Sequence, residues 1–277
     1  MSAVGSDRCI IEIGGVPICL LTGDSRFLEL ARGRYAGFLG SSSAEVELEF
    51  DLTALPPRPE DEVRVRRDGS DWLIERGDFR ARWNPESGRG HVRQSPNPYA
   101  LDSVLRILHS LILARRHGFL LHAASGICGD LDPRAYLFSG VSGAGKTTIA
   151  RLAPADVTLL SDEISYVVPN TDGYLACGTP FSGELGTPGE NCSAPVAALF
   201  FLEKGRENRI EEIAPAEAAQ RLMRNILFFA EDRELVERVF ATACDFVQKV
   251  PVRRLTFYPD RRVWEEIRHI EVMPAHV

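Results

Sequence analysis

The sequence contains almost no lysine: all of its 32 basic residues except Lys146, Lys204 and Lys249 are arginines. A lysine kept in such a chain is a candidate for a task that needs a compact ammonium group rather than a planar guanidinium. Because Lys146 follows a glycine-rich stretch, it is the first candidate functional residue.

Other absences exclude whole classes of protein. No apolar run approaches the roughly 20 residues that cross a bilayer, and residues 9–21 carry Glu12 without a basic lead-in, so we expect neither a membrane span nor a signal peptide. The net charge of -7 argues against a nucleic acid or an anionic membrane as partner, since both attract positive surfaces. The six cysteines show no C-x-x-C pair and no zinc-ligand spacing, which is typical of reduced thiols in a cytoplasmic protein.

The first part of the chain, residues 1–96, has the pattern of a β-rich module. Alternating apolar residues predict a strand over residues 44–52, Gly14-Gly15 predicts a hairpin turn, and residues 25–35 predict a short helix. A proline-rich break is expected at residues 55–59, followed by strands near residues 63–65, 72–75 and 79–83.

The same module holds nine arginines between residues 58 and 93, together with eight acidic residues. The two charges nearly cancel, so we interpret this stretch as the solvated face of a sheet rather than as a binding patch.

Residues 97–277 alternate short apolar runs with helical patterns, which is typical of an α/β domain. An apolar stripe at helical spacing predicts a helix from about residue 101 to 115, and two more helices are expected at residues 215–227 and 233–248. The predicted fold class is therefore α/β: a P-loop domain (97–277) preceded by the smaller β-rich module (1–96).

The strongest motif is a phosphate loop of the form G-x-x-x-x-G-K-[ST], placed between a predicted strand at residues 136–138 and a predicted helix at 147–152. In such a loop, backbone N–H groups surround a polyphosphate, the lysine contacts the β- and γ-phosphates, and the next hydroxyl binds Mg²⁺. The residues concerned are Gly140, Val141, Ser142, Gly143, Ala144, Gly145, Lys146, Thr147 and Thr148.

Two adjacent acids follow the loop. Residues 157–160 are apolar and lead into Ser161-Asp162-Glu163, which predicts a buried parallel strand with carboxylates at its carboxyl end, where α/β sheets bind ligands. One carboxylate can hold a metal while the other accepts a proton, and the pattern leaves open which does which.

Two further candidates carry weak signals by themselves. His122 lies in an apolar run before the loop, where a histidine is usually part of the core. Residues 178–184 are rich in turn-forming residues and contain Glu184, which alone indicates little.

In this order, these residues resemble the catalytic domain of HPr serine kinase/phosphorylase, whose P-loop architecture is shared with ATP-dependent phosphoenolpyruvate carboxykinase. The chain resembles more closely the HPr-kinase-related proteins of peptide-modification gene clusters, such as lasso-peptide serine kinases. The resemblance covers about residues 100–270. It is carried by Leu-His-Ala-Ala around His122, the phosphate loop, Leu-Ser-Asp-Glu ending at Glu163, and residues 178–184 and 195–204.

The resemblance implies that Lys146 binds phosphate and that Thr147, Asp162 and Glu184 ligate Mg²⁺. His122 matches the catalytic-site histidine of the family. Asp162 and Glu163 occupy the positions of two adjacent aspartates in the family, so the resemblance leaves open which of the two carboxylates is the catalytic base. The family's phosphorolysis segment is not found here, and although HPr kinases form hexamers, the sequence identifies no interface for a homo-oligomer.

The expected function is an ATP- and Mg²⁺-dependent kinase that phosphorylates a serine hydroxyl on a peptide or protein. Two alternatives stay open: a kinase of small-molecule hydroxyls, and a nucleotide-binding regulatory module without transfer activity. The sequence gives neither the acceptor nor a preference for ATP over GTP, and substrate docking is one role for residues 1–96.

Overall fold

The computed structural model describes residues 8–53, 55, 62–129 and 131–269. Most of the predicted proline-rich break at residues 55–59 lies outside these ranges. In the part of the chain that is described, no helix combines the length and the apolar character that crossing a membrane requires.

The chain divides into two compact units. One comprises Met1–Arg115 together with Phe228–Glu237, and the other comprises Arg116–Leu227 together with Arg238–Val277. The boundary near residue 97 stays a prediction, which fragments of the chain can test.

The first unit is built on one seven-stranded sheet, accompanied by helices α1 (Ser25–Arg34) and α2 (Pro98–Arg115). Its strands are β1 (Arg8–Ile13), β2 (Val16–Leu21), β3 (Val46–Asp51), β4 (Arg64–Asp68), β5 (Asp71–Arg76), β6 (Phe79–Asn84) and β7 (Arg89–Gln94). Their order across the sheet is β1-β2-β3-β7-β6-β5-β4. The hairpin at Gly14-Gly15, the helix from Ser25, the strand at β3 and the helix α2 are confirmed.

Most of the described arginines in the arginine-rich stretch lie on the outer face of this sheet. Arg67 and Arg76 instead lie on the inner face, with their guanidinium groups over the rings of Trp72 and Phe79. Side chains alternate along a strand, so Trp72, Ile74 and Val92 are buried while the intervening charged side chains are partly or fully exposed. Four of these arginines form ion pairs with acids across the sheet, and the interpretation as a solvated sheet face is confirmed for the described arginines other than Arg67 and Arg76. The pairs are Arg80–Glu75, Arg82–Asp68, Arg82–Asp71, Arg89–Glu47 and Arg93–Asp51.

The second unit contains a nine-stranded sheet. Its strands are β8 (Phe119–Cys128), β9 (Arg134–Ser139), β10 (Thr158–Ser161), β11 (Ile164–Asn170), β12 (Gly173–Cys177), β13 (Ser193–Lys204), β14 (Arg209–Glu212), β15 (Ile226–Leu227) and β16 (Val252–Phe257). The helices that follow α2 in the chain are α3 (Lys146–Arg151), α4 (Pro215–Asn225), α5 (Arg233–Lys249) and α6 (Arg262–His269). The predicted helix at 215–227 is two residues too long, since β15 pairs with β8 instead.

Strands β8 and β13 change partners along their length. The first half of β8 pairs with β11 and the second half with β9, while β13 pairs with both β12 and β9. The strands β8, β9, β13, β12 and β11 therefore close a ring. One apolar cluster centres on Phe119, Leu137 and Phe246, and another on Phe138, Phe200 and Trp264.

The prediction of a buried parallel strand at residues 157–160 is wrong. β10 pairs with β8 in the antiparallel direction, it lies at the end of the strand order, and Thr158 is exposed. A short apolar run does not reveal which strand will pair with it, and its length suits a sheet edge as well as a sheet centre.

The two acids nevertheless lie beside the phosphate loop, although β10 is an antiparallel edge strand. β9 and β10 are both antiparallel to β8, so they run in the same direction and their carboxyl ends lie at the same edge of the sheet. β8 passes between these two strands. On β8, His122 pairs with Ile164, and the next residue, Ala123, pairs with Ser139 at the end of β9. Three chain segments that are far apart in sequence thus meet at one edge.

Candidate active site

The phosphate loop joins the end of β9 to the start of α3. Gly145 immediately precedes the helix with φ of 115°, a left-handed conformation that favours glycine. A Cβ atom at this position would lie 2.6 Å from Cζ of Phe257, so the backbone of the loop packs directly against that ring. Any side chain at position 145 would be both strained and sterically blocked.

Lys146 folds back onto its own loop. Its Nζ donates hydrogen bonds to the carbonyl oxygens of Gly140 (2.9 Å) and Val141 (3.3 Å), and the residue is 8% exposed. Burial lowers the pKa of this ammonium group, and the nearby Glu163 partly offsets that shift. The loop thus holds a buried cation in front of an acidic side chain.

The acid pair is presented by a tight turn at the end of β10. Ser161 Oγ accepts hydrogen bonds from the backbone N–H groups of Glu163 (3.1 Å) and Ile164 (2.8 Å). The carbonyl oxygen of Glu163 accepts from the N–H of Ala123 at 3.0 Å, which ties the turn to β8. The backbone of Glu163 is therefore held on both sides.

Asp162 fastens a second loop to this turn. Its Oδ1 accepts a hydrogen bond from the N–H of Gly183 at 2.7 Å, and its Oδ2 accepts one from the N–H of Leu185 at 2.9 Å. These two donors flank Glu184 in the chain. A buried carboxylate thus sets the position of Glu184, although the two acids are far apart in sequence.

His122 is half-buried on β8. Burial lowers the pKa of its imidazole, and the positive charge of Lys146 lowers it further. A neutral imidazole can accept or donate a proton, whereas an imidazolium beside Lys146 would be repelled.

These groups line one cleft of about 340 Å³. Three of the predicted phosphate-loop residues do not line it: Gly140 is buried at the end of β9, Ala144 is buried in the loop, and the Val141 side chain is 77% exposed. The predicted residues that the structure brings together are His122, Ser142, Gly143, Gly145, Lys146, Thr147, Thr148, Asp162, Glu163 and Glu184, and Gly183 joins them.

The cleft offers oxygen ligands to a metal, although its described residues form no complete set of protein ligands. Over the residues described, no three or more His, Cys, Asp or Glu side chains form such a set. Thr147, Asp162 and Glu184 all line the cleft, and their hydroxyl and carboxylate oxygens suit Mg²⁺. Mg²⁺ commonly takes one or two carboxylates and completes its shell with phosphate oxygens and water, so the residues present fit this ion.

The sequence did not reveal that Phe257 and Trp264 pack against the phosphate loop and the helix that follows it. Phe257 ends β16 and packs against Gly145, and Trp264 on α6 donates its indole N–H to the carbonyl oxygen of Ile149 at 3.1 Å. Trp264 also meets Phe138 edge-on at 5.2 Å between ring centroids. Both residues come more than 100 positions after the loop, and an aromatic residue in an apolar pattern does not identify its partner.

A family model described as SynChlorMet cassette protein ScmC matches residues 100–272. No curated protein matches the chain.

Proposed function

The chain belongs to the SynChlorMet cassette protein ScmC family, and we propose that it is an ATP- and Mg²⁺-dependent P-loop kinase, related to HPr serine kinase, that phosphorylates a serine hydroxyl of a peptide or protein. One observation carries the proposal: a buried lysine and a threonine of a phosphate loop share a cleft with two adjacent carboxylates. Phosphoryl transfer needs this combination of a cation for the polyphosphate, oxygen ligands for the metal and a base for the acceptor.

In this proposal the phosphate loop binds the polyphosphate. Lys146 exchanges its contacts with the carbonyl oxygens of Gly140 and Val141 for contacts with the β- and γ-phosphates. Its charge is already desolvated, so its attraction to phosphate is stronger than that of an exposed lysine. Thr147, Asp162 and Glu184 would hold Mg²⁺, which supplies positive charge to the phosphate oxygens.

We assign the catalytic base to Glu163 rather than to Asp162. Each oxygen of Asp162 already accepts a hydrogen bond from a backbone N–H group, so this carboxylate is engaged in holding residues 183–185 in place. Glu163 makes up the other half of the acid pair and lies within the electrostatic reach of Lys146.

The reaction then balances in one step. The serine oxygen forms a bond to the γ-phosphorus while the bond between that phosphorus and the bridging β,γ-oxygen breaks. ADP leaves, and the proton of the serine hydroxyl passes to the Glu163 carboxylate. His122 stays neutral near the transferred group and can take part in the hydrogen bonding of the acceptor.

The partners and location follow from the same proposal. A net charge of -7 disfavours nucleic acid and anionic membranes as partners, and a cytoplasmic location would supply both ATP and reduced cysteines. Residues 1–96 are available for docking of the peptide or protein acceptor.

The test is the transfer of label from γ-labelled ATP in the presence of Mg²⁺, with and without a pool of peptides. We expect label on a peptide, and Lys146→Met should reduce the rate about 100-fold or more because a preorganised charge is lost. The matched control is Lys249→Met, which removes an exposed lysine at the end of α5 and should leave the rate unchanged.

Each other outcome has a defined meaning. Label released only as inorganic phosphate, with or without peptides, would favour a nucleotide-driven regulatory module. Transfer to sugars or alcohols but not to peptides would favour a small-molecule kinase. Nucleotide binding that is unaffected by Lys146→Met would contradict the phosphate-loop assignment itself.

A further inference from the structure

An exposed aromatic side chain stands at the same edge of the sheet as the phosphate loop. β16 runs parallel to β13, and β13 runs parallel to β9, so the carboxyl ends of β9 and β16 point the same way. β9 continues into the phosphate loop, and β16 continues into Tyr258, whose side chain is 51% exposed.

The loop and this strand end are in direct contact. The ring of Phe257, which is 4% exposed, packs against Gly145 so closely that an added Cβ would lie 2.6 Å from its Cζ. Tyr258 is the next residue, with its Cα about 3.8 Å from that of Phe257. An aromatic residue is therefore exposed one position away from the residue that supports the phosphate loop.

The backbone of Tyr258 is held on both sides. Its N–H donates to Oδ1 of Asn208 at 3.0 Å, and its carbonyl oxygen accepts from the N–H of Asp260 at 2.8 Å. Among the residues that the structure describes, its hydroxyl has no hydrogen-bond partner. A fixed backbone that presents an aromatic ring to solvent is suited to stacking on a planar ligand.

We propose that Tyr258 is the platform on which the nucleotide base stacks when the phosphate loop holds the polyphosphate. The inference rests on the proposed function and adds a base site to it. Stacking uses the π-face that every base has, so it contributes affinity without selecting one purine. ATP and GTP should therefore depend on Tyr258 to a similar extent.

The experiment compares three ligands in the presence of Mg²⁺: ATP, GTP and inorganic tripolyphosphate, which has no base. Binding is measured by calorimetry on the full chain as wild type, Tyr258→Ala and Tyr258→Phe. We expect Tyr258→Ala to weaken ATP and GTP about 5- to 100-fold and to leave tripolyphosphate unchanged, while Tyr258→Phe binds like wild type. Tyr99→Ala, which removes a 69% exposed tyrosine of the first unit, is the matched control and should not alter ATP affinity.

Unchanged tripolyphosphate binding also shows that Tyr258→Ala remains folded at the loop. Equal weakening of all three ligands by Tyr258→Ala would overturn the inference, because the residue would then act on the loop rather than on the base. ATP and GTP binding that is unaffected by Tyr258→Ala would overturn it too. If the wild type binds neither ATP nor tripolyphosphate, the proposed function itself fails.

Discussion

At the scale of single residues, the two adjacent acids have different surroundings. Asp162 is buried and accepts one backbone N–H on each oxygen, whereas the backbone of Glu163 is held by Ser161 and Ala123. The same dipeptide thus joins a structural anchor to a side chain that faces Lys146.

This division predicts that two conservative substitutions differ in their effect on stability. Asp162→Asn places an NH₂ group against one of the two N–H donors, so the free energy of unfolding should fall by about 1–3 kcal/mol. Glu163→Gln should leave stability nearly unchanged and lower the turnover rate about 10²- to 10⁴-fold, because an amide cannot accept the proton. Urea denaturation and the transfer rate at saturating ATP measure the two quantities. A stable Asp162→Asn variant would show that the anchor is absent in solution.

The loop between β9 and α3 could be predicted from sequence because its motif occupies nine consecutive positions. The anchoring role of Asp162 could not, since it depends on two N–H groups more than 20 residues away. Phe257 gave no signal either: its partner Gly145 stands over 100 residues earlier, and no local pattern encodes such a contact. The local strand-loop-helix arrangement was therefore predictable, and the distant residues that pack against it were not.

At the scale of elements, the segment from residue 178 to 192 covers the edge of β10. Thr179 N–H donates to the carbonyl oxygen of Leu160 at 3.0 Å, and Glu190 N–H donates to that of Leu159 at 2.9 Å. An uncovered edge strand is open to pairing with other chains. The segment therefore protects β10 and carries Glu184 into the cleft.

The close approach of this segment to β10 requires glycine at position 189. A Cβ there would lie 1.7 Å from the carbonyl oxygen of Leu160, so Gly189→Ala must push the two backbones apart. We expect loss of about 2 kcal/mol or more in stability, together with weaker Mg²⁺-dependent turnover, since Glu184 moves with the segment. Thermal unfolding and a Mg²⁺ titration of the transfer rate test this.

The control for that substitution lies in the same segment. Gly186 has φ of 70° and nothing within 4 Å of an added Cβ, so Gly186→Ala carries only the backbone penalty of about 1 kcal/mol. Equal effects of the two substitutions would contradict the steric argument. Glycine spacing in residues 178–189 was the available sequence signal, but it is equally typical of an open loop.

At the scale of the whole molecule, the position of α2 distinguishes two divisions of the chain. The sequence predicts a domain of residues 97–277 that includes α2, whereas the compact units place α2 with the first sheet. In that unit, Asp102 on α2 accepts hydrogen bonds from Arg34 and from the hydroxyl of Tyr35. A fragment of residues 97–277 would leave this carboxylate without those partners.

We therefore expect the fragment 97–277 to be less stable than the full chain and to expose the apolar stripe of α2. Each fully exposed leucine of that stripe would forfeit about 1.5–3 kcal/mol of burial. The fragment should bind a hydrophobic dye and unfold at a lower urea concentration than the full chain. A second fragment, residues 116–277, lacks α2 and should bind less dye. A fragment 97–277 that is monomeric, dye-free and as resistant to urea as the full chain would instead establish the boundary at residue 97, because α2 would then have its apolar partners within the fragment.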